Sequence, residues 1–238
     1  MRSENKWGAV QASRQNNTYY NAIASDYDTI LGKDKVNNVI RQKVAEEFTQ
    51  TVKNGRVLDF GGGTGLDIGW MHQNRYQIIF CEPSFAMRKI AMDRIKKEYP
   101  SAKISFLDES KTDFRNWDDS FPFEYKVQAI LANFAVLNCI KDIELVFRKM
   151  ALAVQSGGTV FALVLNSSLR NRMHSNMKGT LRSFLFKNTV TTFVDYNGKR
   201  QLVYLHSAKE ITRALRPHFN VLSLEPIQNF TLIRLKRK

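Results

Sequence analysis

The sequence predicts an α/β fold, a mostly parallel sheet covered by helices on both faces, and three observations carry that prediction. First, short apolar runs alternate with amphipathic stretches between residues 56 and 165, the pattern of repeated strand-helix units. Second, Val57-Leu58-Asp59-Phe60-Gly61-Gly62-Gly63-Thr64-Gly65 reads as a buried parallel strand that ends in a tight glycine turn and hands over to a helix. Third, the rhythm breaks near the end of the chain. Phe219 to Leu224 and Phe230 to Leu235 are strand-like runs joined by a short segment containing Pro226, too short for a parallel crossover, so they should form an antiparallel hairpin.

The elements follow in order. Residues 16 to 31 predict a helix with aromatic positions Tyr19, Tyr20 and Tyr27. Residues 36 to 52 repeat Val36, Val39, Ile40, Val44 and Phe48 at helical spacing. A strand at 56 to 60, a helix from about Gly65 to Gln73, a strand at 76 to 81 and a helix at 84 to 98 closed by Pro100 come next. Then come strands at 103 to 107 and 125 to 132, a helix at 141 to 154, and a strand at 159 to 165 introduced by Gly157-Gly158. In residues 167 to 187, Leu169, Met173, Met177, Leu181 and Leu185 recur every four positions beside Phe184, with five Lys/Arg and no acid. This predicts a basic amphipathic helix, weakened at Gly179. Thr189 to Tyr196 and Lys199 to Leu205 flank Asn197-Gly198, a strong hairpin signal.

At 238 residues and 43% hydrophobic, the chain suits one domain with a substantial core. Its parts read as an N-terminal helical cap over residues 1–52, a core over 53–165, a basic helix-hairpin insertion over 166–206, and the end of the core sheet over 207–238. No apolar run approaches bilayer length, and the N-terminus lacks an apolar signal core, so a cytoplasmic location is expected. Two cysteines, Cys81 in a strand and Cys139 in an apolar loop, supply neither a disulfide framework nor a thiol-rich metal site. The net charge of +14 is localised. Residues 1 to 165 hold 22 Lys/Arg against 19 Asp/Glu, whereas residues 166 to 238 hold 14 against 3.

The glycine loop discriminates among ligand classes. A phosphate-binding P-loop needs Gly-Lys-Ser/Thr, and here Gly65 is followed by Leu66 and Asp67. The dinucleotide fingerprint needs a glycine where Leu66 stands. What fits is Asp-x-Gly-x-Gly-x-Gly through Asp59, Gly61, Gly63 and Gly65, which resembles the first motif of the class I S-adenosylmethionine-dependent methyltransferases. About twenty residues on, Tyr76-Gln77-Ile78-Ile79-Phe80-Cys81 is a strand ended by Glu82 before Pro83, where ribose-binding α/β folds place an acid that takes both ribose hydroxyls. The resemblance covers roughly residues 20 to 165 and 207 to 236. It implies a Rossmann-like three-layer sandwich whose seven-stranded, mostly parallel sheet finishes in an antiparallel hairpin, with S-adenosyl-L-methionine as cofactor.

Residue by residue, the resemblance implies that Gly61, Gly62, Gly63 and Gly65 approach the methionine part of the cofactor. Asp59 would organise the loop and the cofactor's amino group. Glu82, with Pro83 and Met87 beyond it, would hold the ribose side. Asp108, or Glu109 one place on, stands where an acid meets the adenine amino group. Asn133 and Phe134 follow the fourth strand at the cofactor, and Asn138 lies toward the substrate. Tyr27-Asp28 resembles the N-terminal tyrosine motif that closes over such sites, though Tyr27 fits plain helix packing as well.

Two departures narrow the chemistry. Asn133-Phe134-Ala135-Val136 lacks the Asn/Asp-Pro-Pro-Tyr/Phe loop associated with amide and adenine amino methylation, and neither cysteine suits cytosine C5 methylation. Nucleic acid is therefore demoted. The resemblance implies direct displacement at the sulfonium methyl, in which the enzyme supplies proximity and orientation. A base is needed only for a protonated oxygen acceptor, and His206, at the junction of the insertion and the next helix, is the candidate, a surface position being its alternative. The basic insertion, with Arg170, Met173 and Arg182, predicts a small acceptor that is anionic or lipid-like. It leaves open peripheral contact of residues 167–187 with a membrane or carrier protein. An RNA methyltransferase and a non-catalytic cofactor-binding protein are the alternatives.

Overall fold

The computed structural model describes residues 2–32, 35–118, 125–166 and 189–238. Two helices, α1 (Arg2–Gly32) and α2 (Lys35–Thr51), lead into β1 (Arg56–Phe60), α3 (Ile68–Gln73), β2 (Gln77–Cys81), α4 (Phe85–Glu98) and β3 (Ile104–Phe106). β4 (Val127–Ala132), α5 (Ile143–Ala153) and β5 (Val154–Leu165) follow. A hairpin of β6 (Val190–Tyr196) and β7 (Lys199–Leu205), then α6 (Ala208–Leu215), β8 (Phe219–Ile227) and β9 (Phe230–Arg237) complete the chain.

Seven strands form one sheet in the order β3-β2-β1-β4-β5-β9-β8, and β6 with β7 forms a separate two-stranded sheet. β1 runs parallel to both β2 and β4, β4 parallel to β5, and only β9 reverses, antiparallel to both β5 and β8, so that β8 again runs with the others. The three layers follow from the pleat. Val57 and Ile78 join Ile40, Val44 and Phe48 of α2, Ile68 of α3 and Ala91 of α4 on one face. Leu58 and Ile79 join Phe147 and Met150 of α5 and Leu215 of α6 on the other. Phe48, with no exposure, carries much of the α2 side. Removing such a ring from water contributes ~2–3 kcal/mol before cavity effects. Because β1 sits between β2 and β4, the chain changes direction across the sheet at β1 and β4, and a crevice opens beyond their carboxyl ends.

The sequence expectations for 36–52, 84–98 and both hairpins are met closely, and the differences have physical reasons. α1 starts at Arg2 rather than residue 16, because its first half is polar and carries little apolar period to announce it. The helix after the glycine loop begins at Ile68, since the turn itself occupies residues 61–67. β5 starts five residues before 159, with a register irregularity against β4 between Val127 and Ala129. Pro226 lies inside β8 rather than in the turn, tolerated because β8 is an edge strand, and the reversal falls on Gln228 and Asn229 with Gln228 at φ +53°. The expected helix at 167–187 lies outside the described residues.

α1 covers the crevice, and the β6–β7 hairpin packs against α1. Asn197 and Gly198 adopt φ +50° and +74°, the two positive values that a tight hairpin turn with matching twist requires. Asn16 fixes this hairpin to the body: its Oδ1 accepts from the Leu202 N–H at 2.8 Å, and its Nδ2 donates to the carbonyls of Leu202 and Cys139. Farther along α1, Asn21 Oδ1 accepts from Ser84 Oγ at 2.7 Å and from the Ala86 N–H at 3.0 Å, which ties α1 to the start of α4.

Candidate active site

The turn after β1 is held from below. The Gly61 and Gly62 N–H groups both donate to the Cys81 carbonyl, at 2.7 and 3.2 Å, so the glycine loop lies against the end of β2. A Cβ at Gly61 would come within 2.6 Å of Val136, at Gly62 within 2.3 Å of the Phe80 ring, and at Gly65 within 2.6 Å of Ile68. These three are glycine because the protein packs against them. Gly63 differs. Like Gly61 and Gly65 it has a positive φ, +59°, but a Cβ there would find only Tyr27 at 3.7 Å, so its bare face is turned to the cavity.

Glu82 closes the loop from the side. Its two carboxylate oxygens accept from the Ser84 N–H at 2.7 Å and the Gly63 N–H at 2.9 Å. Burial pushes its pKa up to about 7, against the pull of those two N–H donors. Asp59, 1% exposed, has its carboxyl raised well above the carboxylate range, first by burial and then by the charge of Asp67, with Arg41 opposing. Among the described residues its Oδ2 has no hydrogen-bond partner, although a buried acceptor is costly to leave unsatisfied. Asp67, by contrast, is fully engaged. It pairs with Arg41 at 2.5 Å and accepts from Trp70 Nε1 at 2.9 Å and Asn133 Nδ2 at 3.1 Å. The Arg41 guanidinium also lies over the Phe134 ring, 4.4 Å from its centroid.

These groups line one cavity beyond the carboxyl ends of β1 and β4, about 1040 Å³ when its open mouth is included. Phe134 and Ala135, at φ +48° and +63°, turn the chain after β4 so that Val136 and Cys139 reach the same space. From above, α1 contributes Ser13, Asn16, Asn17, Tyr20 and Tyr27. Asp28, next to Tyr27, fastens this roof: it accepts from Thr64 Oγ1 at 2.5 Å and pairs with Arg94, which also donates to the Thr64 carbonyl at 2.7 Å.

The structure brings together Tyr27, Asp59, Gly61, Gly62, Gly63, Glu82, Pro83, Met87, Asn133 and Phe134 around this cavity. Gly65 lies just behind it, under Ile68 and Ala91. Other candidates stand elsewhere. Asp108 is turned to its own backbone as the cap of the 3₁₀ turn Glu109–Lys111, and Glu109 reaches Arg88 at 3.8 Å; Thr112 and Asp113 are the residues of that segment that line the cavity. Asn138, 1% exposed, is a bolt between elements, accepting from the Leu165 N–H at 2.8 Å and donating to the Tyr204 carbonyl at 2.8 Å. His206 is also buried, with Nδ1 3.2 Å from Thr189 Oγ1 and Nε2 2.9 Å from the Ile140 carbonyl. Burial lowers its pKa, and it does not line the cavity. Arg170, Met173 and Arg182 lie outside the described residues. Sequence reasoning passed over Arg41, Asp67 and Asp113. Only the spacing of Asp67 after the last glycine could have flagged one of them.

Comparison with known proteins places these features in a family. The model described as "Methyltransferase domain" matches residues 33–220. A comparison of the sequence with the curated proteins finds no match. Among solved structures, the chain is similar to the DhpI-SAH complex, at TM-score 0.63 and 17% identity, covering 94% of this chain and 96% of that one. It is also similar to the 1,6-didemethyltoxoflavin-N1-methyltransferase of Burkholderia thailandensis, whose structure holds 1,6-didemethyltoxoflavin and S-adenosylhomocysteine, at TM-score 0.67 and 10% identity, covering 97% and 90%. The N-methyltransferase NodS of Bradyrhizobium japonicum, in complex with S-adenosylhomocysteine, follows at TM-score 0.61 and 11% identity, covering 94% and 98%. With the family model spanning most of the chain and the sheet ending in an antiparallel hairpin, the protein belongs to the methyltransferase domain family and has the Rossmann-like fold of the class I S-adenosylmethionine-dependent methyltransferases.

Proposed function

We propose that the protein transfers a methyl group from S-adenosylmethionine to an oxygen or nitrogen atom of a small molecule. One observation carries the cofactor reading: the buried, unpartnered Oδ2 of Asp59 faces a cavity bounded by the open side of Gly63 and by Glu82. That arrangement fits a ligand with a cationic amino group at one end and a ribose at the other. Asp59 would accept from the amino group, Arg41 would face the carboxylate, and Glu82 would accept from the ribose hydroxyls. Met87, Pro83 and Phe134 would pack the apolar parts, with Asp113 rather than Asp108 or Glu109 at the adenine edge. Asn133, held by Asp67, keeps the end of β4 in place beside them.

Bound there, the cofactor supplies a methyl group already activated on sulfur. The protein's own part is placement: a fixed floor of glycine backbone, a roof of α1 tied down by Asp28, and exclusion of water between them. Three of the fold relatives, including the two N-methyltransferases named above, are N-methyltransferases by name. Brought to this chain, they support a nitrogen acceptor. The basic stretch at 167–187, with Arg170, Met173 and Arg182, supports an acceptor that carries an acidic or lipid-like group away from the reacting atom. Among the described residues no helix is long and apolar enough to cross a membrane, and a cytoplasmic location is part of the proposal.

Calorimetric titration with S-adenosylmethionine, S-adenosylhomocysteine and NAD tests the reading. Binding of the first two without NAD is expected. Binding of NAD alone would overturn it; the expected result leads on to acceptor screening, from anionic lipophilic compounds to RNA.

A further inference from the structure

Resting on the methyltransferase reading, we infer that Ser13, Asn17 and Tyr20 form a hydrogen-bonding rail on α1 that recognises an uncharged polar edge of the acceptor, of the carboxamide or lactam type. Ser13, Asn16, Asn17 and Tyr20 stand at i, i+3, i+4 and i+7, one face of a helix, and all four line the cavity. Asn16 is used up in holding the hairpin and the Cys139 carbonyl. Its neighbours on the same face are not. Neither Ser13 nor Asn17 makes a side-chain hydrogen bond with the other described residues, although both are only partly exposed.

Tyr20 is set for a ligand by groups behind it. Gln201 Nε2, from β7, donates to the Tyr20 hydroxyl at 2.7 Å and approaches Cys139 Sγ at 3.2 Å, and Sγ lies 3.4 Å from the same hydroxyl. With one lone pair taken by Gln201, the Tyr20 proton has Cys139 as its only described acceptor, a weak one that a ligand carbonyl would displace. Asn17 offers both a carbonyl oxygen and an amide, and Ser13 a hydroxyl, so the rail can donate to a carbonyl and accept from an adjacent N–H.

Its neutrality gives the specificity. Burial pushes the Tyr20 and Cys139 protons away from ionisation, so neither carries charge at neutral pH. Among the described residues that line the cavity, four carry carboxyl groups, Asp59, Asp67, Glu82 and Asp113, and the one basic side chain, Arg41, is already paired with Asp67. An anion placed against the rail would lose its water and meet no free cation among the described residues, whereas a neutral amide would lose little and gain two or more hydrogen bonds. Any acidic group of the acceptor therefore projects away from α1.

The test is ligand-observed NMR on the full chain saturated with S-adenosylhomocysteine, with benzamide and benzoate as probes. Benzamide should bind and benzoate should not. Tyr20→Phe and Asn17→Ala should each weaken benzamide about fivefold, the worth of one hydrogen bond, while S-adenosylhomocysteine affinity measured by calorimetry stays the same. Benzoate binding as well as benzamide, benzamide failing to bind, or benzamide binding unchanged in the Tyr20→Phe/Asn17→Ala double variant would each overturn the rail. Those outcomes are separable from failure of the underlying reading, which would appear as no S-adenosylhomocysteine binding by the unaltered protein and would remove both.

Discussion

On the proposed binding mode, Glu82 couples cofactor binding to stability. Its pKa rises with folding from 4.5 to about 7, so between those values the folded chain binds a proton that the unfolded chain has released. The Glu82 contribution to stability is therefore fully present below about pH 4.5 and is lost as pH rises through 7, about 3 kcal/mol across that window. Cofactor binding runs the opposite way, because a carboxylate that accepts from two hydroxyls must be ionised. S-adenosylhomocysteine affinity should rise between roughly pH 5.5 and 8, by no more than about tenfold per pH unit, and Glu82→Gln should flatten the profile. Calorimetry at several pH values checks this. Gly63 gives a second prediction. Gly63→Ala meets open space but forces φ +59° on a residue with a Cβ, which costs about 1–2 kcal/mol. The protein should stay folded and lose at least tenfold in S-adenosylhomocysteine affinity, whereas Gly62→Ala, aimed at the Phe80 ring, should lower the melting temperature as well. Both Asp59 and Glu82 were legible in the sequence because each ends a strand at a fixed distance from the glycines. Arg41 and Asp67 were not, since they are 26 positions apart and meet only because α2 packs on the sheet beside the loop.

At the scale of elements, the roof depends on asparagines rather than apolar packing alone. Asn138 joins the turn after β4 to β5 and β7, and Asn16 joins α1 to β7. Asn138→Ala would leave the Leu165 N–H and the Tyr204 carbonyl without their partner inside the protein. It should cost about 2–4 kcal/mol in urea unfolding, with a loss of acceptor-side activity larger than any loss of cofactor affinity. Strands, long helices and the Asn197-Gly198 hairpin could be read from periodicity and turn chemistry, because those signals are local. The first half of α1 and the 3₁₀ turns at 109–111, 114–116 and 136–139 could not be, because they carry no apolar period and form only against neighbours. The same reason explains Asn138 and His206. A polar residue in an apolar stretch reads equally as a substrate contact or a structural bolt until its partners are seen, and here the partners are backbone groups of other elements.

For the whole molecule, the charge asymmetry and the cavity separate two parts of recognition. The last third of the sequence carries most of the net positive charge, yet among the described residues the cavity is lined by four acids, neutral hydrogen-bonding groups and one basic side chain, Arg41, that is paired with Asp67. By itself the sequence determined the α/β class, the order of strands and helices along the chain, and the cofactor motif with its acid at the end of β2. Each of these is written in spacing along a few residues and in the periods of strand and helix. Only the tertiary structure decided which polar residues face the cavity and which bolt the frame, how Asp28 and Asn21 tie α1 down over it, and that Asp113 rather than Asp108 lines it. Those outcomes depend on distances between residues tens to hundreds of positions apart, set by how helices settle on a twisted sheet, and no local pattern encodes them.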